Sequence, residues 1–336
     1  MSQNRRKFLQ NTSLLTLGSL MGASISAVAS TPPEPAKTTS AAPQSKPQAL
    51  TLDQGSVPGR KVLINGVNYH VGEQGRGDKV VLLLHGMPDT SGIWRYQIPA
   101  LVAAGYRVIA PDLLGYGLTD KPADPARYAG AQLIGDVLAL LDALKIESMD
   151  VIGHDWGGYI SWELALALPK RFRRHVVIST GNPNSFLGQQ SIASVKQNWY
   201  MYLNTQAAAP ALYAANNGAF LKQVIIPTHP DINEVWSRLQ TPEAMLGMLN
   251  WDRGNNMAEL YLAVASGQLT ERDCHVPTLG ISGTHDQYLW ESQMADSARW
   301  MAAPWRYAPV DGASHWVMLD RPQEVNQLIL GWLAQA

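Results

Sequence analysis

The stretch "GHDWGG", Gly153 to Gly158, follows the apolar run "MDVI" at Met149 to Ile152. It has the outline G-x-S-x-G, a sharp strand-to-helix turn that lifts its central residue out at the top of a sheet. Asp155 stands where that outline has serine. The glycines around it let backbone segments approach closely. A Gly-rich junction alone is common in α/β folds, so the choice between a carboxylate nucleophile and a plain tight turn depends on the rest of the chain.

Outward from Asp155, "VVLLLHG" (Val80 to Gly86), "YRVIAPD" (Tyr106 to Asp112), "MDVIGH" (Met149 to His154), "HVVIST" (His175 to Thr180) and "TLGISG" (Thr278 to Gly283) read as strands buried on both faces. "KVLINGVNYHV" (Lys61 to Val71) alternates around Asn-Gly and predicts an opening strand and turn. Helix-period segments such as "AQLIGDVLALLDALK" lie between most of them. This alternation predicts an α/β fold with a mostly parallel central sheet flanked by helices. Between Thr180 and Thr278 it stops, and helical patterns crowded with aromatics take over. We expect a helical cap over residues 182–272, inserted after the sixth strand. The core would then comprise residues 60–181 and 273–336.

Three features bear on Asp155. "HGMPD" (His85 to Asp89) follows a strand, where the loop backbone can supply one oxyanion donor and the residue after the nucleophile the other. Those N–H groups would belong to Met87 and Trp156. "GTHDQY" puts Asp286 at a strand end, able to orient a histidine, with His285 beside it a bystander. "DGASHWVMLDRPQEV" puts His315 in a loop before the last helix. The order nucleophile, acid, histidine is that of an α/β-hydrolase triad. One histidine in that place is unremarkable among eight, but the three together are not.

From about Val62 onward the chain resembles α/β-hydrolases of the epoxide hydrolase and haloalkane dehalogenase group, in "HGMP", "APDLLGYGLTDKP", "GHDWGG", "GTHD" and "ASHWVMLDRPQEV". The resemblance implies the triad Asp155, His315 and Asp286. A carboxylate can displace a leaving group from an sp³ carbon and form an alkyl-enzyme ester, which water activated by His315 would hydrolyse. Epoxide hydrolases resembling this chain use two cap tyrosines as proton donors. "NWYMY" matches the first at Tyr200, while "LNWDR" puts Asp252 in the place of the second. Tyr202, Tyr261 or His229 are the residues available to compensate. The reading ranked first is opening of a small apolar epoxide to a diol. The second is haloalkane dehalogenation with the Trp156 indole as halide donor, and the third a non-catalytic binder on the same fold. His85, Trp199, Trp251 and Asp252 are further candidate pocket residues, though His85 reads better as a support for its loop.

A formal charge of −1 over 336 residues gives no electrostatic reason for a nucleic-acid partner. Cys274 is the only cysteine, and no clustered metal-ligand pattern or dinucleotide fingerprint is present, so no metal or organic cofactor is expected. "NRRKFLQ" (residues 4–10), the mildly apolar stretch after it and Ala27-Val28-Ala29 predict a twin-arginine-type signal peptide over residues 1–29. The expected partner is the twin-arginine export machinery, the expected location periplasmic or secreted, and no stable membrane anchor is expected after cleavage. The Pro/Ala/Ser/Thr tract over residues 30–59 reads as a disordered linker.

Overall fold

Buried apolar runs fix the centre of the sheet. The computed structural model describes residues 46–188, 191–268 and 271–335. Eight strands form one sheet: β1 (Gly59–Ile64), β2 (Val67–Gln74), β3 (Lys79–Leu84), β4 (Tyr106–Pro111), β5 (Met149–His154), β6 (Phe172–Ile178), β7 (Thr278–Gly283) and β8 (Trp305–Val310). Their spatial order is β1-β2-β4-β3-β5-β6-β7-β8. The hairpin β1–β2 pairs antiparallel and joins β4 antiparallel; every later pairing is parallel. Val81 to Leu84 and Val151 to Ile152 are fully buried, because helices cover both faces of the parallel part.

The helices Gln97–Ala103, Gly130–Ala143, Trp156–Ala167 and Pro322–Leu333 flank this sheet. The chain leaves β6 and forms a run of helices from Pro183–Gly188 to Met257–Ala265 before returning at β7. This is the expected cap, placed over the C-terminal strand ends where open α/β sheets bind ligands. The cap helix Pro242–Arg253 lies on the core loop after β4. There a Cβ on Gly247 would stand 2.5 Å from the Gly115 carbonyl oxygen, and Trp251 Nε1 donates to Leu114 O at 2.8 Å. Backbone against backbone is the closest seat two segments can take.

The predicted signal peptide lies outside the described residues, as does the linker to residue 45. Residues 46–58, assigned to that linker from composition, instead pack on the core. The Leu50 N–H donates to Arg95 O at 2.8 Å, the Val57 N–H to Ser91 Oγ at 3.0 Å, and Ser56 Oγ to Asp112 Oδ2 at 2.6 Å. Val57 is fully buried, so this strap has the apolar anchor and backbone partners that the Pro-rich tract lacks. Strand β8 was absent from the strand reading. It is a half-exposed edge strand containing Arg306 and Pro309, without the apolar run of its neighbours.

Candidate active site

Asp155 stands between β5 and the helix Trp156–Ala167, as the N-cap residue of that helix, with φ 54° and ψ −122°. Such a backbone costs about 1–3 kcal/mol and persists only where its surroundings over-determine it. Here the Tyr159 N–H and Thr180 Oγ1 both donate to Asp155 O, at 2.9 and 2.8 Å. A Cβ on Gly157 would collide with the carbonyl oxygens of Leu84 and His85, and one on Gly86 with the Asp155 side chain. The turn is therefore clamped between two glycines, and the carboxylate is aimed above the sheet.

The Met87 N–H donates to Asp155 Oδ1 at 2.8 Å. Asp155 Oδ2 lies 3.5 Å from His315 Nε2. On the far side of the ring, His315 Nδ1 meets Asp286 Oδ2 at 2.8 Å. Asp286 Oδ1 accepts from the N–H groups of Tyr288 and Leu289 at 2.8 and 3.0 Å, which fixes the carboxylate that fixes the ring. The His315 carbonyl takes hydrogen bonds from His154 Nε2 at 3.1 Å and Ser179 Oγ at 3.0 Å. The structure thus brings together Asp155, His315 and Asp286, which lie far apart in sequence, with Met87 and Trp156 beside Asp155.

Charge follows this geometry. Burial alone would raise the Asp155 carboxyl, but hydrogen bonding and charge from His315, and the Trp156 N–H, hold it below the usual carboxylate range. Burial would lower His315; Asp286 and Asp155 outweigh it and push the imidazole up to about 10. His154, whose ring lies 4.6 Å from that of His315, is brought down to about 4 by burial and by the positive His315, so it stays neutral.

Above Asp155, between the core and the cap, lies a pocket. Its polar or aromatic walls include Trp156, Tyr200, Asn204, Tyr213, Tyr288 and Trp316, and its apolar walls Leu221, Ile225 and Met248. Tyr200 packs edge-on against Tyr288 with ring centroids 5.7 Å apart. Burial, then the Asp155 and Asp252 charges, raise the Tyr200 phenol well above its ordinary value, so it keeps its proton.

Several candidate pocket residues stand elsewhere. His85 is fully buried beneath its loop, accepting the Leu113 N–H at Nε2 (2.9 Å) and meeting Gly86 O at Nδ1 (2.9 Å). Trp199 faces outward against Phe220 because it lies on the solvent side of its helix. Trp251 is buried behind Trp156, ring centroids 5.6 Å apart, its N–H spent on Leu114 O. Asp252 is buried one layer behind the wall and accepts from Asn204 Nδ2 at 2.5 Å. His229 joins cap to core through Asp89, and Tyr202 and Tyr261 are not cavity walls. Sequence reasoning missed Tyr288 and Asn204. The first lies two residues after Asp286, and the second one helical turn after Tyr200, a spacing that puts both on one face.

A sheet of this order, a strained turn presenting a carboxylate, and a histidine–carboxylate pair behind it define a hydrolase of the α/β class. The model of the alpha/beta hydrolase fold family matches residues 79–322, and the chain belongs to that family. It is 32% identical to an AB hydrolase superfamily protein, YfhM, of Bacillus subtilis, over 80% of this chain and 95% of that protein. An epoxide hydrolase of Caballeronia sordidicola is 40% identical, over 48% of this chain and 50% of that protein. A solved structure from a set of epoxide hydrolases found in metagenomes of hot environments superposes with a TM-score of 0.75 at 28% identity, covering 83% of this chain and 99% of the other.

Proposed function

We propose that this hydrolase opens a small apolar epoxide to a diol through an ester on Asp155. The observation that carries the reading is the split use of the carboxylate: Oδ1 is held by the Met87 N–H, while Oδ2 faces the cavity side of His315. Oδ2 attacks a ring carbon, the C–O bond breaks, and its electron pair goes to the ring oxygen, which takes a proton from Tyr200. Oδ1 becomes the ester carbonyl oxygen, already held by the Met87 N–H, and the Trp156 N–H also serves the carboxylate. His315 then removes a proton from water. The resulting hydroxide adds to the Asp155 carbonyl carbon, the two N–H groups hold the oxyanion, and collapse releases the diol. The proton that His315 takes from water restores the charge it carries beside the anionic Asp155, and the proton it gives up once the ester has formed restores the Tyr200 phenol.

The charge arrangement makes the base arise from the first step. While Asp155 is anionic it helps hold His315 protonated at about 10. Esterification removes that charge, the imidazole pKa falls, and Nε2 passes its proton to the Tyr200 phenolate, which frees it to accept one from water. The relatives named epoxide hydrolases support the choice of electrophile.

The test is His315→Gln, which retains alkylation and stalls hydrolysis. The variant is incubated separately with an aryl epoxide, an aliphatic epoxide and a bromoalkane, then read by intact-protein and peptide mass spectrometry. An epoxide adduct on the Asp155 peptide is the expected result. An adduct from the bromoalkane alone would move the chain to dehalogenation. We also propose that residues 1–29 direct export through the twin-arginine machinery to the periplasm or beyond, supported by the paired arginines and the Ala27-Val28-Ala29 site. Sequencing the N-terminus of the exported protein tests it.

A further inference from the structure

Opening an epoxide leaves negative charge on an oxygen that a single phenol serves poorly, and a second donor aimed at the same point is worth roughly 100-fold in rate. Asn204 lies four residues after Tyr200 on the helix Trp199–Asn204, and both line the cavity above Asp155. The Asn204 side chain is fully buried and held at both ends. The Tyr213 hydroxyl donates to its Oδ1, and one N–H of its Nδ2 donates to Asp252 Oδ2. The second N–H of that amide has no protein acceptor among the described residues.

Asp252 is itself buried, with Oδ1 unpartnered. No cation among the described residues pairs with it. Arg253, next on the helix, turns away to the carbonyls of Asn204 and Gln206. The charged groups and ionisable hydroxyls around Asp252 are Asp155 on the elbow, Tyr116 on the loop after β4, Tyr200, and Tyr213. A buried carboxylate facing another carboxylate and no cation takes up a proton.

Resting on the epoxide reading above, we propose that Asn204 is the second donor to the opening oxygen, with Tyr213 and a neutral Asp252 as the positioning residues that set its amide. Desolvation raises the Asp252 carboxyl to about 8, with the Asp155 charge adding to it and the Asn204 hydrogen bond opposing it. Ionisation above that value puts a second negative charge beside the nucleophile and the forming alkoxide, and slows attack.

The test uses the His315→Gln chain, in which the rate of ester formation on Asp155 is followed by quenched mass spectrometry with styrene oxide. Removing His315 also removes its own titration from the profile. Asn204→Ala should slow ester formation roughly 100-fold. In the His315→Gln parent the rate should fall from pH 7 to pH 9.5 with a midpoint near 8, and Asp252→Asn should abolish that fall. The pH ratio is internal to each variant and does not depend on how much protein folds. An unchanged rate in folded Asn204→Ala, or the same alkaline fall in Asp252→Asn, would overturn this inference alone. No ester in the parent with styrene oxide or other epoxides would overturn it together with the epoxide reading.

Discussion

Asp89, on the loop that carries Met87, meets the cap residue His229 at 3.1 Å, Oδ1 to Nε2, with both side chains almost fully buried. His229 Nδ1 accepts the Asp231 N–H at 2.9 Å, which leaves Nε2 as the donor to Asp89. Asp89 Oδ2 accepts from Trp316 Nε1 at 2.9 Å, on the residue after His315. One carboxylate therefore ties together the loop of Met87, the cap and the loop of His315.

Asp89→Ala should cost about 3 kcal/mol or more, because it strands two buried donors. Urea unfolding at pH 7 measures it. Burial would raise the Asp89 carboxyl, but His229 outweighs this and holds it well below its ordinary value. A depressed acid stabilises the fold above its unfolded pKa of about 3.9 and loses that contribution as pH falls further. The stability gap between wild type and Asp89→Ala should therefore close below about pH 3.9.

His315 works in the opposite direction. Its folded pKa of about 10 exceeds the unfolded value of about 6.5, so its stabilisation is complete below about 6.5 and lost as pH rises through about 10. Denaturant titrations of wild type and His315→Gln at pH 6, 8 and 10 should show the gap narrowing with pH.

Gly86→Ala tests the placement of the Asp155 carboxylate without replacing Asp155, His315 or Asp286. The added methyl collides with the Asp155 carboxylate and must push it aside. A displacement near 1 Å costs about 100-fold in reaction rate. Single-turnover ester formation, compared with the parent by quenched mass spectrometry, should show a loss of that order.

Gly247→Ala tests the seat of the cap. Its new Cβ would meet the Gly115 carbonyl at 2.5 Å and the Gly115 Cα at 3.0 Å, and backbone cannot rotate away as a side chain can. A loss of about 1–3 kcal/mol is expected by chemical unfolding. Faster hydrogen exchange should be concentrated in the helix Pro242–Arg253.

The central strands were legible because sheets covered on both faces need unbroken apolar runs, and "VVLLLHG" or "MDVIGH" show them plainly. Asp155, His315 and Asp286 were legible as candidates because each stands at a strand end or in a loop whose local pattern is distinctive. The cavity wall was not. Asn204, Tyr213, Tyr288 and Trp316 come from four separate segments, and only the fold makes them neighbours. Asp252 shows the same limit: its replacement of a tyrosine is readable, but its burial and its link to Asn204 are tertiary facts. Residues 46–58 misled because composition reports polarity and is blind to single anchors such as Val57.

The hydrogen bonds that hold the backbone at Asp155 come from Tyr159 and Thr180, and they act on its main-chain carbonyl. The scaffold holds a socket whose shape is independent of the reagent plugged into it. On the reading proposed above, exchanging that one side chain would alter which carbon is attacked, acyl or alkyl, while the eight strands and the histidine pair stay where they are.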